Sequence, residues 1–310
     1  MHGTQVRRKT ASRNGIRPVV LPEDAGAAPL KAVKIAGSVL ANTALLTALL
    51  YYFGFLYTQV YFAHFLVHYT VLGQTLEEIL ARGADGLFVP LGVLAAGVLV
   101  ALCAVQFLRL RLSERVWARI LRVCVPLAAL VGLGLVVMAV FVALDPEPHR
   151  LYAGVPGVGF AVGVLLLVFA WRRVAAHERI SGTVVAEWVI TFVLVSIGLF
   201  WAVGDYSGAV GVRRAYESEL RVPDLPNVLV YSEKSLNLPA GAVREVVCRE
   251  PEAAYRYRYA GLKLLLQSGG QYVFVPADWT AESGTSLVLP RTDSVRLEFT
   301  PPSATAGDTC

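Results

Sequence analysis

KIAGSVLANTALLTALLYYFGFLYTQVYFAHFLVHYTVLGQTLE, from Lys34 to Glu77, sets 42 consecutive uncharged residues between two charges. Four more such runs follow: 23 residues between Asp85 and Arg109, 22 between Arg122 and Asp145, 21 between Arg150 and Arg172, and 17 between Glu187 and Asp205. A helix needs about 20 mainly apolar residues to cross the hydrocarbon core. The later four runs each fit one crossing, the last once Val184, Val185 and Ala186 join it, which puts Glu187 near the interface. The first run is too long for one crossing and too short for two with a turn. It reads as a helix from about Ile35 to Phe55, then an amphipathic aromatic segment at the headgroup level, where tyrosine rings collect. The expected spans are about 35–56, 86–108, 123–144, 153–171 and 184–204. A chain that is 55% hydrophobic and only 16% charged agrees with a membrane protein and not with a soluble helical core.

The charges between the runs alternate in sign. Arg7, Arg8, Lys9, Arg13, Arg17, Lys31 and Lys34 crowd the amino-terminal segment. Arg109, Arg111, Arg115, Arg119 and Arg122 fill the loop after the second run, and Arg172, Arg173 and Arg179 the loop after the fourth. The other loops are acidic, with Glu77, Glu78 and Asp85 against Arg82, then Asp145 and Glu147 against Arg150. Basic loops stay in the cytoplasm. The pattern predicts a plasma-membrane protein with a cytoplasmic amino terminus and, after five crossings, an extracytoplasmic carboxy-terminal domain. Residues 1–32 read as a disordered basic tail that sets topology or touches anionic lipid, with no nucleic-acid role. Arg7-Arg8 is a twin-arginine pair, but the apolar run begins far downstream, so a signal anchor is expected.

Beyond the fifth run the periodicity changes. Gly211 to Leu220 reads as a short connecting helix within 207–225, closed by Pro223 and Pro226. Strand-like runs follow at Val228–Tyr231, Ala242–Cys248, Tyr255–Leu266 with a bulge at Gly261, Gln271–Val275, Leu287–Leu289 and Val295–Phe299. Ser268-Gly269-Gly270 signals a tight turn. The fold class expected is therefore an α-helical membrane protein with five transmembrane helices and a small, mostly β, extracytoplasmic domain over 226–300, ending in a disordered tail at 301–310.

Few side chains form a chemical constellation. His64 and His68 stand four apart, which on a helix puts them on one face, as candidate ligands for zinc or copper or as a pH sensor. Gly159 and Gly163 form a GxxxG for close helix packing, within the chain or between copies. Cys248 and Cys310 are a candidate disulfide, while Cys103 and Cys124 read as small buried apolar residues. Arg256, Arg258 and Trp279 offer a face for an anionic polymer, set against the simpler reading of a solvated strand face. No span carries a central charge, which disfavours a proton-coupled transporter. The sequence holds no nucleophile elbow, phosphate loop, HExxH or dinucleotide fingerprint, and no cofactor is predicted.

Tyr51-Tyr-Phe-Gly-Phe-Leu-Tyr-Thr-Gln59 and Leu87-Phe-Val-Pro-Leu91 resemble elements of a group of actinobacterial (Streptomyces-like) multi-pass integral membrane proteins of unknown function. Leu225-Pro-Asn-Val-Leu-Val-Tyr-Ser232 and Gly270-Gln-Tyr-Val-Phe-Val-Pro-Ala-Asp-Trp279 fit the same pattern. The resemblance covers most of 45–300 and brings no activity with it; His64-Phe-Leu-Val-His68 departs from the group's usual wording. The leading expectation is a non-enzymatic membrane protein whose outer β domain binds or senses an envelope protein or polymer. A transport or channel subunit, or a membrane enzyme using the His64 side, are the alternatives. Beyond the lipid bilayer itself, the partner and the oligomeric state are left open.

Overall fold

The computed structural model describes residues 27–145, 154–175, 181–238, 243–249, 253–304 and 307. The expected basic tail, Asp145-to-Gly154 connection and terminal cysteine lie largely outside them. Five helices carry the first two thirds of the chain: α1 (Ala27–His64), α2 (Leu76–Arg111), α3 (Glu114–Leu144), α4 (Val155–Val174) and α5 (Ser181–Arg221). Each is long and apolar enough to cross a membrane. Two compact units divide the chain: residues 1–44, and residues 45–310, which hold the second half of α1 and everything after it.

All five helices run past the expected boundaries. α1 does not end at Phe55 but continues unbroken to His64. The aromatic stretch thus belongs to the helix, and protein, not headgroups, covers much of it: Phe53, Thr58, Phe62 and Phe65 are buried. α5 is likewise one helix of 41 residues, so the connecting helix is its last turns. At 1.5 Å per residue it is about 60 Å long, roughly twice the hydrocarbon thickness, and its end must project. α2 begins ten residues before its expected span, capped by Thr75, whose hydroxyl accepts from Glu78 N–H at 3.3 Å.

Glycines set the helix contacts. A Cβ on Gly83 would stand 1.9 Å from Leu50 O, and one on Gly54 2.0 Å from Ile79 O, so α1 and α2 touch backbone to backbone. Gly163 faces Gly132 of α3, and Gly157 meets Gly198 and Ala202 of α5. α1 meets α5 through Tyr52 on Phe200 and Phe53 on Tyr206, with ring centroids 5.4 and 6.0 Å apart. At the end of α4 and α5 far from the sheet, Arg172 Nε donates to Glu187 at 2.6 Å and stacks on Trp188.

Six antiparallel strands follow: β1 (Asn227–Ser232), β2 (Arg244–Val247), β3 (Tyr257–Ser268), β4 (Gln271–Pro276), β5 (Leu287–Pro290) and β6 (Val295–Thr300). The order is β5-β4-β3-β1-β6, with β2 paired to β3 beside β4. Gly261 has φ 91° where the β1–β3 register slips by one residue, the expected bulge. Gly269 and Gly270 take positive φ in the two-residue hairpin between β3 and β4.

Strand alternation divides the sheet between two cores. Val228, Val230, Tyr259, Leu262 and Phe274 form one, with Leu236, Leu238 and Val243 packed against it. Val273 and Val275 point the other way, onto Phe62, Phe65, Leu72, Ala215 and Val222 from the α1 and α5 ends and the loop between α1 and α2. Trp279 belongs to this second core and is buried, so it is not part of an exposed face. Arg258 is also buried, not solvated: it donates to Gly307 O at 2.9 Å, and Asn227 Nδ2 donates to the carbonyls of Pro301, Pro302 and Ala304. The chain after β6 is drawn back over the strands.

Candidate functional site

At the sheet end of the bundle, α1, α2 and α5 diverge around a cavity of about 550 Å³. Ligand sites usually fall between about 300 and 1,000 Å³. α1 contributes Phe53, Tyr57, Tyr61 and Phe62; α2 contributes Arg82, Asp85, Gly86 and Val89; α5 contributes Tyr206, Val210, Arg213 and Arg214; Leu266 of β3 closes it. The helical repeat explains the sets: residues 57 and 61, 82 and 86, and 206, 210, 213 and 214 each share one face. Gly86 leaves the room, since a Cβ there would stand 2.1 Å from the Phe53 ring.

Three guanidinium groups face one lining carboxylate. Arg213 and Arg214 lie 3.5 and 3.4 Å from the same Glu217 and stay more than half exposed, pairs that contribute little in water. Arg82 is half-buried. It donates to Thr58 Oγ1 at 3.3 Å and lies over the Phe62 ring, and among the described residues no carboxylate pairs with it. The Tyr61 hydroxyl donates to Ser218 at 3.0 Å. Guanidiniums and phenols in a half-enclosed space can receive an oxyanion. They form no nucleophile–base pair.

The histidine pair is not brought together as one helical face. α1 stops at His64, and Leu66 takes φ 59°, so His68 lies in the following loop, with Nδ1 2.7 Å from Thr70 Oγ1. His64 Nε2 is instead 2.7 Å from Glu219 Oε2, while Glu219 Oε1 accepts from Ala281 N–H at 3.1 Å. The tie joins α1, α5 and the loop after β4. Among the described residues no three His, Cys, Asp or Glu side chains form a metal-binding group. Gly163 packs on α3, whereas Gly159 has only Leu135 in ordinary contact at 3.8 Å. Cys248 is disulfide-bonded; Cys310 lies outside the described residues. Cys103 and Cys124 carry free thiols on exposed helix faces, not in a core.

Arg82, Arg213 and Arg214 were not singled out by sequence as a site, yet one signal was there. Arg82 is the basic residue in an acidic loop, and Arg213-Arg214 follow closely on the fifth uncharged run, next to a loop set otherwise acidic. The fold defines a class: a membrane protein with five helices able to span a bilayer and an antiparallel sheet docked on the ends of α1, α2 and α5. No protein-family model, curated protein or solved structure matches the chain.

Proposed function

We propose that this is a non-enzymatic plasma-membrane protein that binds or senses an envelope component, and that its binding site is the arginine–tyrosine cavity between sheet and helices. The amino terminus lies in the cytoplasm and the sheet outside. The loop charges support that orientation, as does the disulfide at Cys248, since disulfides persist in oxidising compartments. The observation that carries the reading is Arg82: a half-buried guanidinium over an aromatic ring, paired among the described residues only with a hydroxyl, in a cavity with two further arginines. Arg82, Arg213 and Arg214 stand close to span ends on the outer side, where the topological bias runs against basic residues, so a local use for their charge accounts for them best. The ligand is anionic.

Thermal unfolding of the full chain in neutral detergent tests this against a panel of soluble and lipidic phosphates, sulfates and carboxylates. At least one anion should raise Tm, by mass action on the folded state, and the double substitution Arg82→Gln with Arg214→Gln should remove the rise. If every anion shifts the wild type and the double variant equally, the cavity is not the binding site.

A further inference from the structure

Resting on the cavity reading above, we infer that the ligand is a lipid, with a phosphate headgroup among the arginines and its long apolar chain in a lateral groove between α2 and the α4–α5 pair. The groove, about 760 Å³, is walled by residues such as Val93 of α2, Val162 of α4 and Leu199 of α5. Its lining is aliphatic throughout, with glycine and proline, except for the ring of Tyr206. Val89 and Tyr206 line both the groove and the cavity, so the two volumes share a wall and abut there. An amphiphile needs this arrangement: one end apolar, the other cationic, and at the boundary a phenol whose ring suits hydrocarbon and whose hydroxyl suits water.

The two halves do different work. Inside a bilayer, a chain entering the groove leaves one hydrocarbon environment for another, so what it adds is close packing against the groove walls and not hydrophobic transfer. It does fix the ligand's source, because only a molecule already in the membrane can fill a lipid-level groove. Selectivity then falls to the headgroup. A guanidinium presents paired N–H donors that match phosphate oxygens, and several of them suit a phosphate better than a carboxylate. Arg82 sits deepest among the three arginines and carries most of the recognition; Arg213 and Arg214, shared with Glu217, form the rim.

The test uses the full chain in neutral detergent micelles, with dihexadecyl phosphate as the long-chain probe, dimethyl phosphate as the chainless one and a dipalmitoyl glycerol as the phosphate-free one. Equilibrium binding should favour dihexadecyl phosphate over either control by about tenfold or more. Arg82→Gln should weaken it by about tenfold or more, as loss of a charge-assisted contact does. Val162→Trp, which fills the groove, should weaken dihexadecyl phosphate alone; Val93→Trp on the facing wall repeats the test should the first variant fail to fold. If dimethyl phosphate binds as well as the long-chain probe and neither tryptophan matters, the lipid inference falls while the cavity reading stands. Equal binding of the phosphate-free lipid also overturns the inference. If no phosphate binds, the lipid inference falls, while the cavity reading falls only if the sulfates and carboxylates of the panel above also fail to bind.

Discussion

Tyr259 is fully buried in the sheet's own core, and its hydroxyl accepts the Leu236 N–H at 2.7 Å. Burial raises the phenol above its usual value of 10.0. In the unfolded chain it ionises near 10.0, whereas in the folded chain it holds its proton to higher pH. Its contribution is therefore complete below about pH 10 and is lost as pH rises through the folded value. Tyr259→Phe should lower stability at pH 8 by about 1–3 kcal/mol, because Leu236 N–H loses its partner. It should also flatten the alkaline decline, so that wild type and variant converge above about pH 10. Melting curves between pH 8 and 11 check both; parallel curves would exclude the titration. The tie through Glu219 makes a second residue-scale prediction. Glu219→Ala removes an acceptor used by His64 and by Ala281 N–H. Amide exchange should quicken in the segment around Ala281, with protection in the β3–β4 hairpin unchanged. The histidines themselves show why spacing alone misled. Four residues make one face only while the helix lasts, and no charge or proline marks the left-handed Leu66 that ends this one.

Contacts between elements depend on glycine placement. α1 and α2 touch where Gly54 and Gly83 let carbonyl oxygens approach, so Gly83→Val should destabilise the pair by about 3 kcal/mol, at the upper end for overpacking, or prevent assembly. At Gly97 of the same helix an added Cβ would meet nothing within 4 Å, and Gly97→Ala should be neutral or stabilising by up to about 1 kcal/mol. Thermal melts in nanodiscs would separate the two; equal loss at both sites would mean that the backbone contact at Gly83 does not set the effect. The crossings were legible because a charge-free run of about 20 residues is a one-dimensional signal. The strands were legible for the same reason: Val295, Leu297 and Phe299 alternate with Arg296 and Glu298, and Gly261 marks its bulge. The continuation of α1 was not. A run of uncharged aromatics looks the same whether headgroups or a docked sheet cover Phe62 and Phe65. The cavity was hidden further, since Arg82 and the Arg213-Arg214 pair lie far apart in the chain and meet only after α1, α2 and α5 assemble.

The sheet and the helix ends share one core, and this bears on how the whole chain folds. Val273, Val275 and Trp279 are buried against Phe62, Phe65, Leu72, Ala215 and Val222, of which Phe62, Phe65 and Leu72 come from α1 and the loop after it. Ser268 donates to Glu78 of α2, Ser286 donates to the Phe65 carbonyl, and Gly269 lies so close to Leu72 that a Cβ would overlap its carbonyl. A fragment beginning near residue 207 keeps Ala215 and Val222 but loses every α1 partner. Re-exposing a large apolar side chain costs about 1.5–3 kcal/mol. Three of them would consume most of what a domain of about 75 residues has, at about 0.05–0.15 kcal/mol per residue. Residues 207–310 expressed alone should therefore aggregate or show strand-type circular dichroism without a cooperative melt, even with Cys248 oxidised. The full chain in detergent should lose sheet and helix-end structure in one transition. An isolated fragment that melts cooperatively at the temperature of the full chain would show that the sheet carries its own stability and only rests on the helices.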